Sequence, residues 1–137
     1  MTDSADADVA RTAFLACNGG DVQGFLSCLD PQVEWHSAGL FLHPAQAFLG
    51  RLAVKEGLNA TAEHRGGRPR VTLRELTAAG GLVFVAGTVS IPSGRQPVTL
   101  PIAWVMEVRD GLIVHVQTFS AEEHARTELD RLRAAAG

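Results

Sequence analysis

The sequence predicts a single α+β domain. Two observations carry that reading. Helical periodicity is confined to the first sixty or so residues and to the C-terminal stretch, and between them lie four runs rich in β-branched and aromatic residues. Gly, Pro or Asp-Gly separates those runs, as turns between antiparallel strands require. A third observation bounds the size: 137 residues suit one domain of ~100–200 residues, and no internal repeat divides them.

In chain order, the spacing of Val9, Ala13 and Ala16/Cys17 predicts a helix over Asp8 to Asn18, stopped by Gly19-Gly20. Residues 1–7 read as an acidic, disordered tail. Asp21 is placed to cap a short second helix bearing Val22, Phe25, Leu26 and Leu29, which Asp30-Pro31 ends. A strand follows over Val33 to Ser37, and Ala38 to Gly50 is irregular. A third helix is expected over Arg51 to Ala62, weakened by ~1 kcal/mol by Gly57. Strands are expected over Val71–Ala79, Leu82–Ile91, Val98–Arg109 and Leu112–Phe119. Asp110-Gly111 is the strongest hairpin signal, because both positions of that turn need positive φ. Ser120-Ala121-Glu122-Glu123 is a capping box opening a last helix with Ala125, Leu129 and Leu132 as its buried stripe. All helices are expected on one face of the sheet.

Composition narrows the function. Hydrophobic residues at 46% and charged residues at 20% exclude intrinsic disorder. Twelve Lys and Arg against fifteen Asp and Glu give a net charge of −3, which argues against a nucleic-acid partner. The one basic cluster, His64 to Arg70, contains Gly66-Gly67 and Pro69 and reads as a solvated turn. The longest strongly apolar run, Leu82 to Ala86, is far below the ~18 residues of a membrane span, and the acidic N-terminus lacks signal-peptide order. A soluble, cytoplasmic protein with no membrane partner is expected. Cys17 and Cys28 read as small buried residues of helices. No convincing ligand spacing on a shared interior face suggests a metal, and no cofactor is expected.

Strand alternation assigns the faces. Ile102, Trp104, Met106 and Val108 form a wholly apolar set, as do Val33 and Trp35, and Val114, Val116 and Thr118 are assigned beside them. Glu34, His36, Glu107, His115 and Gln117 fall on the opposite face, with Ala103, Val105, Ile113 and Phe119. That face is too apolar for a solvated sheet, so a homodimer through it is expected. Gly87 and Pro101 are candidate bulge positions, and a bulge would reverse parity beyond it.

The order of several features resembles the SnoaL-like polyketide cyclase family within the nuclear transport factor 2-like superfamily. They are Gly20-Asp21 after the first helix, Leu29-Asp30-Pro31-Gln32-Val33-Glu34-Trp35-His36, and Gly50-Arg51. Asp110-Gly111-Leu112-Ile113 and Thr118-Phe119 with the acidic Ser120–Ala125 complete the match. The resemblance implies a cone, a curved antiparallel sheet packed on three N-terminal helices with a C-terminal helix. It implies no single reaction, since the fold hosts isomerases, cyclases, hydrolases and non-catalytic carriers. Isomerases of the superfamily use a carboxylate base with an oxyanion hole of a tyrosine and a protonated aspartic acid. Those positions fall on Trp35, Ala13 and Trp104, and the sequence has no tyrosine. The last-strand carboxylate of epoxide hydrolases and cyclases falls on Thr118.

Three readings follow. The favoured one is a binder of a small hydrophobic molecule, aromatic or alicyclic. Its cone would be lined by Phe14, Trp35, Ser37, Trp104, Met106, Val116 and Thr118, unless the two indoles fill it outright. The second is a cyclase, isomerase or hydratase acting on a polyketide- or steroid-like carbonyl. His36 or His43 would serve as general base, with Thr118 or Ser37 donating to the oxyanion. The third is a dimeric interaction module without a ligand. His43 lies in the apolar Gly39–Gly50 segment, which reads as a lid or a plug. Glu107 and His115 are a candidate cross-strand pair.

Overall fold

The computed structural model describes residues 3–92 and 94–136. Four helices and six strands follow in the order α1 (Asp3–Asn18), α2 (Val22–Ser27), β1 (Leu29–His36), β2 (Ala47–Leu49), α3 (Arg51–Arg65), β3 (Arg70–Ala79), β4 (Leu82–Ile91), β5 (Val98–Arg109), β6 (Leu112–Phe119) and α4 (Glu122–Ala136). One curved sheet runs β2-β1-β6-β5-β4-β3. Every neighbouring pair is antiparallel except β1 and β6, which run parallel.

The helix ends follow local chemistry. α1 starts at Asp3, inside the stretch expected to be a disordered tail. Asp3 and Asp6 sit in its first turn, where the helix dipole favours negative charge, and Asp3 accepts from the Gly80 amide at 3.2 Å. Of the expected tail, Met1 and Thr2 lie outside the described residues. Asp21 caps α2 through the Gly24 amide at 2.8 Å. α3 runs on to Arg65 and closes on Gly66 in the left-handed region, so the basic cluster is half helix and half turn. Gly57 has a packing reason: a Cβ there would lie 2.8 Å from the ring of buried Phe48. Among the described residues no helix is long and apolar enough to cross a membrane.

The sheet has a core on each side. The large one joins α1, α2 and α3 to the inner face, where Val33, Trp35, Ile102, Trp104, Met106 and Val116 are buried. The small one joins Ala125 and Leu129 of α4 to Phe84, Ala86, Ala103 and Val105 on the outer face, with Leu82, Phe119 and Leu132 at its edge. The expectation that all helices share one face is therefore corrected. The stripe of α4 is as predicted, but it covers the opposite side.

Parity holds on β1 and β5 and changes on β6. Glu107 faces His115 while Val108 faces Ile113, so Val114 is the extra residue of a bulge. Ile113 is buried in the inner core, and Val114 is only half-buried. The expected places of these two residues are exchanged, while Val116 and Thr118 stay inside. Pro101 keeps regular register with Thr88. The bulge near Gly87 lies in its partner strand, between Leu73 and Glu75.

At Gly87 a Cβ would sit 2.0 Å from the Thr72 carbonyl oxygen, a backbone atom held by the β3–β4 ladder. Gly87→Ala is expected to lower stability by ~2–3 kcal/mol through overpacking. The urea unfolding midpoint of the variant against the parent measures it; an unchanged midpoint would contradict the tight approach.

Candidate functional site

The interior of the cone is built from rings. Trp35 on β1 and Trp104 on β5 are fully buried. Phe41, from the loop between β1 and β2, lies between them: its centroid is 5.7 Å from Trp35 in a stacked arrangement and 5.8 Å from Trp104 edge-on. Phe14 of α1 packs 4.5 Å from Trp104, and Phe25 of α2 lies 5.8 Å from Trp35. Contacts at these separations are favourable beyond the area they bury. The side chain of Phe41 therefore fills the centre of the cone.

Polar groups in this interior are few and unmatched. The indole Nε1 atoms of Trp35 and Trp104 and the hydroxyl of Thr118 are buried without a hydrogen-bond partner. Thr118 lies directly opposite Trp104 in the β5–β6 register, so two of the three share a place on the inner face. A buried donor left unpaired costs ~1–3 kcal/mol. Hydrocarbon rings give the indoles good face contacts but no acceptor.

The remaining predicted lining residues divide. Phe14, Met106 and Val116 are buried on the inner side. Ser37 is half-buried and holds the loop: its hydroxyl donates to the Leu42 carbonyl at 2.5 Å and accepts from the Gly39 amide at 3.0 Å. Thr61 of α3 adds a bond to the Phe41 carbonyl at 3.0 Å. The loop that carries Phe41 is thus tied to both β1 and α3.

The two proposed bases lie elsewhere. His43 stacks on His64 with centroids 4.3 Å apart, beside a shallow surface hollow formed with Pro44, Glu56 and Ala60. His36 alternates with Trp35 and stands on the outer face, half-exposed. Its Nε2 lies 2.8 Å from Glu34 Oε2, and His115 Nε2 reaches the same oxygen at 3.1 Å. An ionised carboxylate only accepts, so both imidazoles donate. The hydrogen bond from His36, aided by its charge and by His115, holds the Glu34 carboxyl below its ordinary value. The carboxylate partner of His115 is therefore Glu34 across the parallel pair. Glu107, although opposite His115, is ion-paired with Arg109.

A cleft of about 270 Å³ lies on the outer face beside His115, bounded also by Gln117, Glu107 and Arg131 with Val105 and Leu132. Sequence reasoning missed the meeting of Glu34 with His115 because it depends on the register of two strands nearly eighty residues apart. Burial pushes the Cys17 thiol up to about 11 and raises that of Cys28, so both are protonated near neutrality.

A curved sheet wrapped on three helices is the nuclear transport factor 2-like fold. Within it the chain belongs to the SnoaL-like domain family, whose family model matches residues 10–116. Among solved structures it is similar to TerC, crystallised with polyporic acid. The two share 27% identity over 84% of this chain and 90% of TerC, with a TM-score of 0.75. An NTF2-like protein of unknown function from Burkholderia pseudomallei shares 20% identity over 90% of this chain and 95% of its own, TM-score 0.75. A candidate polyketide cyclase from Xanthomonas campestris shares 21% over 89% and 94%, TM-score 0.70. The last two likenesses establish the fold alone. No curated protein matches the sequence at a significant level.

Thr118→Val keeps the shape of the side chain and removes the unpaired hydroxyl. It is expected to stabilise the ligand-free protein by ~1 kcal/mol, read as a rise in the urea midpoint with an unchanged slope. A loss of stability would mean that the hydroxyl has a partner.

Proposed function

We propose that the protein binds a small aromatic or alicyclic molecule carrying acceptor oxygens inside the cone. Its ring would take the place of the Phe41 side chain between Trp35 and Trp104. The observation that carries this reading is the set of three buried, unpartnered groups on Trp35, Trp104 and Thr118. A carbonyl or phenolate oxygen supplies the acceptor that Phe41 lacks. Similarity to TerC, crystallised with polyporic acid, supports the same kind of ligand.

Binding is favoured over catalysis. Proton transfer needs an ionisable group within hydrogen-bond reach of the substrate. His36 stands on the outer face and His43 stacks on His64, so neither supports the cyclase or isomerase reading.

The sequence has two tryptophans and no tyrosine, so intrinsic fluorescence reports on the cone alone. Polyporic acid and fluorenone are expected to change tryptophan emission saturably, whereas fluorene, which lacks the carbonyl, binds more weakly. Thr118→Val should weaken fluorenone about fivefold, the worth of one hydrogen bond, and leave fluorene unaffected. Absence of a saturable change with either oxygenated probe would refute the proposal.

A homodimer remains part of the reading on a narrower footing. α4 of the same chain covers Ala103, Val105 and Phe119, three of the residues that suggested a partner. Leu49 on the edge strand β2 and Leu52 at the start of α3 stay 65% and 68% exposed, and these would seat a second copy. Light scattering at micromolar concentration is expected to give twice the chain mass, reduced to one by Leu49→Arg with Leu52→Glu. A monomeric parent would exclude the dimer.

A further inference from the structure

We propose that Glu34, His36 and His115 form a binding site for one divalent transition-metal ion of the zinc type, on the sheet face opposite the cone. The inference is independent of ligand binding in the cone, because the two sets of side chains leave β1 on opposite faces.

The donor set comes first. Two imidazoles and one carboxylate suit borderline dications such as Zn²⁺, Co²⁺ or Ni²⁺, and leave the site with one negative charge when the imidazoles are neutral. Geometry comes next. Ligands ~2.0–2.1 Å from a zinc ion lie ~2.9–3.4 Å from one another at right-angled to tetrahedral spacing. Here Glu34 Oε2 is 2.8 Å from His36 Nε2 and 3.1 Å from His115 Nε2. All three donor atoms lie within 4.8 Å of one another. Both ring nitrogens contact a single oxygen, so the three donors are already gathered at one spot, and a turn of the Glu34 carboxylate would open a place for an ion among them. The ring centroids are 5.2 Å apart and tilted by 40°, which leaves room for an ion to enter between them. On binding, each neutral imidazole would hold its single proton on Nδ1 and offer the Nε2 lone pair to the ion, so the hydrogen bonds to Glu34 would be exchanged for bonds to the metal.

The backbone fixes the arrangement. Glu34 and His36 are two apart on β1 and so share a face, and the parallel ladder sets His115 beside Glu34. Ligands on neighbouring strands of a sheet hold their spacing better than ligands on loops. The three side chains are 38–45% exposed, so an ion held by them keeps open positions toward solvent. His115 also borders the outer cleft with Gln117 and Arg131. An oxygen ligand bound in that cleft would lie beside the open positions.

The test uses the full chain without a histidine tag, titrated with ZnCl₂ at about pH 7.5, above the ~6.5 at which free imidazole titrates. One ion per chain is expected. His36→Ala, His115→Ala and Glu34→Gln should each weaken binding at least about tenfold, since loss of outer-shell partners alone costs ~10–100-fold. His64→Ala should leave it unchanged, which separates this site from the stacked His43–His64 pair. Cobalt loading should give a visible absorption band that disappears in His115→Ala. If an alanine variant does not fold, His36→Gln and His115→Gln serve in its place. The proposal is overturned by no saturable binding below about 1 mM, a Kd weaker than ~4 kcal/mol. It is equally overturned if binding survives loss of both His36 and His115, or is abolished by His64→Ala.

Discussion

The parallel pairing of β1 with β6 decides what meets on each side of the sheet. It sets Trp35 beside Val116 within the cone and Glu34 beside His115 outside it. The pairing is interrupted between Leu29 and Glu34, where exposed Pro31 has no amide to give to a ladder. Arg51 braces this break, its Nε and Nη2 donating to the Leu29 carbonyl at 2.8 and 2.6 Å. The Cys28 carbonyl accepts from the Ile113 amide at 2.9 Å at the start of the same junction. Slippage by one residue would exchange the indole and the imidazole between the two faces.

The filled cone sets packing against hydrogen bonding. Five rings at centroid distances of 4.5 to 5.9 Å give the interior its cohesion, while two indoles and one hydroxyl go unpaired within it. Sites that hold unpaired polar groups in the free state recover that cost when a ligand arrives. The loop bearing Phe41 is held by Ser37 and Thr61 through its backbone, so the phenyl ring is the part of the plug least constrained by hydrogen bonds.

Much of this was readable in the residues. Alternation placed Trp35 and Trp104 inside and Glu34 and His36 outside. The bounds of β4, β5 and β6 follow from β-branched runs and from Asp110-Gly111, whose φ values of 54° and 79° make the tight turn. What escaped depends on distant partners. β2 is three residues long and has no pattern of its own; it exists because Glu34 to His36 offer it an edge. The bulge at Val114 is invisible to alternation, since Ile113 and Val114 are equally apolar. The stripe of α4 was legible but its side was not, because an apolar outer face serves a partner molecule or a helix of the same chain equally well. The Glu34–His36–His115 cluster went unread for the same reason as the β1–β6 register.

The two cores differ in how they are fastened. Inside, buried rings and aliphatic side chains make most of the contact, pinned by a few hydrogen bonds such as those of Asn18 to the Val71 backbone and Arg51 to the Leu29 carbonyl. Outside, α4 rests on a few small residues, with Arg126 over the Phe84 ring at 4.4 Å and bridged to Glu75 and Glu122, while Arg74 also reaches Glu122. Charges at the surface are screened by dissolved ions, whereas buried rings are not. Ionic strength thus bears mainly on the side of the sheet that α4 covers, where the exposed ion pairs that fasten a helix to the strands are gathered.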